Sequence, residues 1–182
     1  TRWIVDGDGP RYMVLYEVRD LAVLASDAYL ARLNNPTPWT QRMMPFYRHM
    51  RRGLCSVLGS FGFGQGGSAA LIRFACDGTN VERTRHWLLE EVLPQVPGTP
   101  GLGSVHLLVG AQAAAMTNEQ RLRGADRGVD SALIVTGYDA AAVAACAKSL
   151  CAVDRLPGHG ARDVTHAIYV ASYALAGTEF EA

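Results

Sequence analysis

The order of apolar periodicities between residues 68 and 175 constrains the fold of this 182-residue chain more than any other feature. Four strand-like runs and two helical patterns follow one another in the order strand, helix, strand, strand, helix, strand. The polar stretch MTNEQRLRGADRG forms a long connection between the second and third strand-like runs. The runs are SAALIRFAC, SVHLLVGA, SALIVTGY and THAIYVASYAL, and the helices are VERTRHWLLEEVLPQV and DAAAVAACAKSL. This order is that of the ferredoxin-like split unit. It predicts a complete repeat over residues 68–182, with a four-stranded antiparallel sheet and two helices on one face.

A shorter version of the same order precedes it. TRWIVD and RYMVLYEV predict a hairpin, a helical segment follows, and GLCSVLGSFGF predicts one more strand. The stretch RYMVLYEVRDLAVLA matches SALIVTGYDAAAVAA, about 120 residues later, without a gap. We therefore expect an α+β fold of tandem ferredoxin-like repeats that form an α+β barrel. Residues 1–63 would form a partial repeat that lacks its opening strand and helix, and residues 64–67 a glycine-rich linker.

The partial repeat would leave one sheet edge exposed, and proteins normally cover or pair such edges. We expect either an additional strand and helix before Thr1 or a second copy of the chain to lie against this edge.

The composition narrows the classes of partner. Seventeen basic residues balance seventeen acidic ones, so the whole chain has no net field to attract nucleic acid or an anionic membrane. No apolar run reaches the ~18 residues of a membrane span, and no secretion leader opens the sequence. The expected location is cytoplasmic, with no nucleic-acid or membrane partner.

The cysteines and glycines predict neither a metal nor a cofactor. The four cysteines are Cys55, Cys76, Cys146 and Cys151. No two of them have the two-residue spacing of zinc or redox sites, which favours reduced structural thiols. The stretches GSFGFGQGGS and GTPGLGS lack the Lys and Ser or Thr of a phosphate loop.

Two stretches, GPRYMVLYEV and LASDAYLARLNNPTPWTQRMMPFYR, resemble bacterial proteins of the dimeric α+β barrel superfamily that are similar to the ethyl tert-butyl ether degradation (EthD-like) family. The resemblance covers roughly residues 1–60 by motif and the remainder by topology only. It implies two sheets packed face to face around an apolar pocket, and a homodimer is one expected assembly. Relatives include cofactor-independent monooxygenases, polyketide cyclases, lactone isomerases and haem-degrading enzymes. The strand and helix that open such relatives have no counterpart here, so none of their functional residues carries over.

Polar side chains on apolar strands are the candidates for catalysis. His106 lies in SVHLLVGA, and a strand histidine facing a pocket can transfer protons near neutral pH; the alternative is a core histidine satisfied by its neighbours. Tyr16 is predicted to orient a substrate oxygen, and Tyr12 shares its strand face as a substrate contact. These two rings could equally fill a barrel core.

Further substrate contacts are predicted at Trp39, Arg42 and Tyr169. Trp39 and Arg42 lie in PWTQRMMPFYRHMRR, which could close over a pocket and pair an arginine with a carboxylate, or could be a solvated helix face. RNA binding is the weaker interpretation of this segment, because the net charge is zero and no aromatic platform motif accompanies it. Tyr169 alternates with small residues on the last strand, which predicts either a pocket wall or a packed core.

Together these features predict a protein with a pocket for a small hydrophobic molecule. One hypothesis is a cofactor-independent isomerase, cyclase, lyase or monooxygenase that acts on a hydrophobic or aromatic carbonyl compound. The alternatives are a non-catalytic binding or assembly protein and a haem-binding protein.

Overall fold

The computed structural model describes residues 1–111 and 116–175, and it has one open, seven-stranded antiparallel sheet with five α-helices. The strands are β1 (Arg2–Asp6), β2 (Tyr12–Val14), β3 (Cys55–Gly62), β4 (Ser68–Cys76), β5 (Leu102–Gly110), β6 (Ser131–Gly137) and β7 (Ala161–Tyr173). The helices are α1 (Asp27–Asn34), α2 (Pro38–Met43), α3 (Asn80–His86), α4 (Asn118–Arg123) and α5 (Ala140–Leu150). Short 3₁₀ segments span Leu21–Ala25, Met44–Phe46 and Leu93–Gly98, and a π-helical segment spans Trp87–Val92. The mixed α and β class is confirmed.

Strands β4 to β7 form the centre of the sheet, in the spatial order β7-β4-β6-β5. Each neighbouring pair among them is antiparallel. Alternate residues of β4, Ala70, Ile72 and Phe74, are buried in one hydrophobic core. The same core contains Leu88 from the π-helical segment and Val143 from α5, so both helical segments pack on one face of the sheet. The four strands and two helices expected of residues 68–175 are therefore present.

The first repeat does not form a sheet of its own, and the tandem-repeat barrel is not confirmed. Strands β1 and β2 extend the sheet beyond β7, while β3 extends it beyond β5 at the opposite edge. The physical reason is that a four-stranded sheet leaves hydrogen-bonding groups unpaired on both outer strands. Residues 168–173 of β7 pair with β1 on one side, and this pairing satisfies that edge within the single sheet.

The glycine-rich link between β3 and β4 is closely packed at one point. Gly66 has φ +65°, a conformation that residues with a side chain rarely adopt. A Cβ atom at this position would collide with the backbone of Gly137 at the end of β6. The link therefore needs glycine for its backbone conformation as well as for its close approach to β6.

The chain divides into two compact units by the density of its internal contacts. The sheet unit comprises residues 1–16, 57–109 and 130–182, and the helical unit comprises residues 17–56 and 110–129. The helical unit contains α1, α2 and α4.

Helix α4 lies in the polar excursion between β5 and β6. Thr117 caps it, and the side chain of Gln120 bonds back to the cap backbone, which completes a capping box. Asn118 then joins α4 to the end of α1: its backbone N–H donates to Oδ1 of Asn34, and its side chain donates to the Asn34 carbonyl oxygen. The polar stretch is therefore an ordered helical element and not only a connection.

Within residues 1–111 and 116–175, no helix has the length and apolar character that crossing a bilayer requires.

Candidate functional site

His106 lies on the sheet face that points away from α3 and α5. Its neighbours Val105 and Leu107 are buried in the core beneath the helices, so strand alternation places His106 on the opposite face. The imidazole is half-buried, and its Nδ1 shares a hydrogen bond with the hydroxyl of Ser60 on the edge strand β3. A serine hydroxyl joined to an imidazole is a pair that can move a proton.

Two further polar side chains share this face. In the register of β5, β6 and β4, His106 lies opposite Ile134, which lies opposite Leu71; Arg73 follows two residues after Leu71 on the same face. Tyr169 on β7 is buried in a small core with Trp3. Burial raises the pKa of the Tyr169 phenol, and the charge of Arg73 opposes that rise. This face therefore combines an imidazole, a guanidinium and a phenol with apolar side chains.

Tyr12 and Tyr16 do not join this group. Tyr12 is on β2, five strands from β5, which corresponds to about 24 Å at a strand spacing of ~4.8 Å. Its ring is half-exposed, with the guanidinium carbons of Arg2 and Arg11 at 4.7 and 5.3 Å from the ring centre. Tyr16 follows the end of β2 and is 85% exposed.

Trp39 and Arg42 lie on α2 in the helical unit, and both side chains are exposed. They belong to a different compact unit from His106. Of the six residues predicted to form one site, the sheet therefore places His106 and Tyr169 on a common face.

A groove on the helix side of the sheet unit was not predicted. It has a volume of about 350 Å³. Its walls are mostly apolar. They come from the end of the π-helical segment and the 3₁₀ segment after it, from α5 and the turn that follows it, and from the start of β5. The lining includes Val92, Val96, Leu102, Cys146, Leu150 and Arg155.

Arg155 supplies the charge in this groove. Its Nε atom is buried and has no hydrogen-bond partner among the residues that the structure describes. Its guanidinium carbon lies 5.2 Å from the ring centre of Trp87, a cation–π contact. Trp87 in turn stacks on His159, with ring centres 3.8 Å apart and planes inclined by 7°. The guanidinium of Arg155 therefore lies against the ring of Trp87, and Trp87 stacks on His159.

Cys146 is the thiol that lines the groove. Burial raises the pKa of this thiol, although the positive charge of Arg155 works in the opposite direction. The thiol is therefore protonated at neutral pH, which makes it a weak nucleophile. All four cysteines have free thiols.

The sequence signal for this groove was weak, because Arg155 lies in the turn between α5 and β7 and follows no recognisable motif. The helical spacing of Val81, Leu88, Val92 and Val96 predicts one apolar helix face, of which Leu88, Val92 and Val96 are in the core and Val81 is half-buried. It does not predict that part of this face borders a groove.

A second cleft, of about 370 Å³, lies in the helical unit and is lined mainly by carboxamide side chains. Several of those carboxamides already bond to the local backbone, as Asn118 does to Asn34. Within the described ranges 1–111 and 116–175, no three His, Cys, Asp or Glu side chains lie close enough to hold a metal ion together.

Comparison with protein-family models, curated proteins and solved structures finds no match for this chain.

Proposed function

We propose that this protein binds a small hydrophobic carboxylate in the helix-side groove, with Arg155 as the residue that holds the carboxylate. The observation that carries the proposal is the buried Nε–H of Arg155, which has no acceptor among the described residues. Buried polar groups are normally hydrogen-bonded, and leaving one unpaired costs about 1–3 kcal/mol or more. A carboxylate in the groove would remove that cost once the Arg155 side chain turns its Nε–H, which is closed to solvent in this structure, toward it.

The side chains that line the groove indicate the chemistry of the part of the ligand beyond its carboxylate. Val92, Val96, Leu102 and Leu150 present apolar surface, which favours an alkyl chain or an aromatic ring. A planar guanidinium can bond both oxygens of a carboxylate at once, which a point charge cannot do. The expected ligand therefore has an apolar body and one carboxylate end, and its size suits a groove near the lower limit of small-molecule sites.

The test compares octanoate with octan-1-ol, which share an apolar chain but differ in charge. We expect octanoate to bind measurably by calorimetry, and the Arg155→Met variant to bind it roughly 10- to 100-fold more weakly, since hydrogen bonds to charged groups contribute about 1.5–3 kcal/mol. Arg83→Met is the matched control, because Arg83 is an exposed arginine of the same unit. Equal affinity for octanoate and octan-1-ol contradicts the role of Arg155.

A second readout does not depend on any variant. Octanoate in the groove should slow alkylation of Cys146, which lines it, and leave alkylation of Cys55 in the helical unit unchanged. Mass spectrometry of each labelled cysteine measures both rates in the wild-type protein. If the rates at both cysteines stay the same while octanoate binds, the carboxylate is bound elsewhere.

A second candidate function is proton transfer on a carbonyl compound, with His106 as the acid or base. The hydrogen bond between Ser60 and Nδ1 of His106 supports this candidate, because it orients the imidazole. Once a substrate is known, His106→Gln should lower turnover about 10²–10⁴-fold at unchanged melting temperature. His86→Gln, on the exposed face of α3, is the control. A loss of folding in the His106 variant supports a structural histidine instead.

The resemblance to the EthD-like family of the α+β barrel superfamily remains part of the proposal. The order β7-β4-β6-β5, with two helical segments on one face, is that expected of a ferredoxin-like unit and supports it. A homodimer with facing sheets would then enclose the face that contains His106. Haem binding is the other alternative from this resemblance, and absorbance near the Soret band after haem addition tests it.

A further inference from the structure

The outward face of α2 carries two large aromatic rings with an arginine between them. Trp39, Arg42 and Phe46 are spaced by three and four residues, which places them on one side of α2 and of the 3₁₀ turn that continues it. Trp39 is 59% exposed and Phe46 is 72% exposed, and Arg42 is exposed as well. We call these three residues the Trp39–Phe46 face.

The opposite side of the same segment is turned inward. Met44 is buried, and its sulfur accepts a hydrogen bond from the guanidinium of Arg123 at 3.5 Å. Thr40, one helical turn before Met44, is half-buried. The rings of Trp39 and Phe46 are therefore not the core-facing side of the segment.

The helical unit that carries this face is strongly basic. It contains nine arginines against five aspartates and glutamates, a net charge of +4, whereas the sheet unit has eight basic and twelve acidic residues, a net charge of −4. The zero charge of the whole chain conceals this division. Arg48 and Arg51 follow the face closely in sequence and are exposed. The positive charge of the helical unit thus favours the binding of a polyanion near the two rings.

We infer that the Trp39–Phe46 face binds single-stranded nucleic acid. Exposed aromatic rings stack on bases of any sequence, and arginines contact the phosphates between them. This combination fits a single strand, because its bases are unpaired and each nucleotide brings one negative charge. The absence of a nucleic-acid partner, expected from the net charge, does not follow for the helical unit taken by itself.

The position of Arg42 argues against a lipid surface as the partner. Insertion of both rings into a membrane would carry Arg42, which lies between them in sequence on the same side of the segment, toward the apolar layer, where a charge is costly. A stacked single strand instead places a phosphate near that charge. The charge of Arg42 therefore disfavours insertion into a membrane and favours binding to a single strand.

Tryptophan fluorescence tests the contact directly in the unmodified protein. The chain has three tryptophans, of which Trp3 and Trp87 are buried and Trp39 is exposed. An unlabelled oligo(dT) or oligo(U) of about 15 nucleotides should quench the emission of Trp39. This length lies within the ~4–16 nucleotides of typical single-strand sites. An oligonucleotide that binds without quenching overturns the stacking model.

Variants then measure the contribution of each side chain to the binding free energy. The measurement is fluorescence anisotropy of a labelled oligonucleotide. We expect Trp39→Ala and Phe46→Ala each to weaken binding roughly tenfold or more, as stacked aromatics do. Arg42→Ala should also reduce the dependence of log K on log salt by about one unit of slope. Phe63→Ala is the matched control, since Phe63 is an exposed phenylalanine of the sheet unit.

Three further results would overturn the inference. One is equal affinity for a duplex of the same length, which indicates attraction by charge alone. Another is binding to vesicles of phosphatidylcholine and phosphatidylserine that depends on Trp39 and exceeds binding to the oligonucleotide. The third is an unchanged affinity in the Phe46→Ala variant, whose exposed position makes a folding defect easy to exclude by its melting temperature.

Discussion

The side chains of Arg123 and Asp126 form a buried ion pair in the helical unit, with 5% and 7% of their surface exposed. Two hydrogen bonds join them, Nε to Oδ1 at 3.0 Å and a terminal nitrogen to Oδ2 at 2.7 Å. Gln120 donates a third bond to the same carboxylate, at 3.1 Å. Burial by itself raises the pKa of Asp126, but these bonds and the charges of Arg123 and Arg52 outweigh it, so the pKa is lowered.

Asp126→Asn should destabilise the helical unit by about 1–3 kcal/mol at pH 7, because it leaves Arg123 buried with weaker acceptors. A carboxyl with a lowered folded pKa contributes stability above its unfolded pKa of about 3.9, and that contribution is lost as the pH falls through the folded value. The difference between wild type and variant should therefore shrink below about pH 4. Urea unfolding at a series of pH values measures it.

Glu17→Gln is the control for this experiment, because Glu17 is an exposed carboxylate of the same unit. It should change stability by less than about 0.5 kcal/mol at any pH, as surface substitutions usually do. A difference between wild type and Asp126→Asn that stays constant from neutral to acid pH would show that the charge of Asp126 is not the source of its contribution.

At the scale of elements, the helical segment from Asn80 to Gly98 supplies much of the main core. It begins as α3, widens into the π-helical turn at Trp87–Val92 and tightens into the 3₁₀ segment that contains Pro94. Leu88 in the π-helical turn is fully buried. Leu88→Ala should lower the free energy of unfolding by about 2–5 kcal/mol, since it removes buried methyl groups and leaves a cavity.

The neighbouring position Glu90 provides the control for Leu88. It is exposed on the same π-helical turn, so Glu90→Ala tests whether the turn itself tolerates substitution. Thermal melts of both variants should show a large shift for Leu88→Ala and almost none for Glu90→Ala. Similar shifts in the two variants would mean that the conformation of the turn, and not its packing, determines stability.

The sequence predicted most elements but not all of their partners. Strand β4 was expected over SAALIRFAC and spans Ser68–Cys76, because its apolar run is long and glycines precede it. Strands β1 and β3 were also expected, yet their positions at opposite edges of one sheet could not be derived. Apolar alternation shows which face of a strand is buried, but several open edges can accept the same strand.

The site was harder to predict than the fold for a similar reason. The orientation of His106 away from the helices follows from alternation once the sheet is known, whereas its bond to Ser60 depends on β3 pairing beside β5. Tyr12 was separated from His106 by the same unpredicted strand order. Arg155 belongs to a turn, where neither periodicity nor a motif indicates burial.

At the scale of the whole molecule, the open sheet ends in two strands that differ in their protection. Strand β2 has three residues, and arginine side chains cover the ring of Tyr12 on it. Strand β3 has eight residues, none of them charged and none of them proline, and Val57 and Leu58 are exposed. A long edge strand without charges or proline is a template for pairing with another chain.

We therefore predict that two copies of the chain associate through β3, which would give a species of twice 19.6 kDa at high concentration. Leu58→Lys should shift this equilibrium toward the monomer, because a charge would be forced against the partner strand as the edges meet. Val14→Lys on β2 is the matched control, since Val14 is also an exposed edge residue, and it should leave association unchanged. Sedimentation velocity over a range of concentrations measures both variants. If Leu58→Lys associates as the wild type does while Val14→Lys does not, the copies meet at the β2 edge instead, and the charge around Tyr12 fails to protect it.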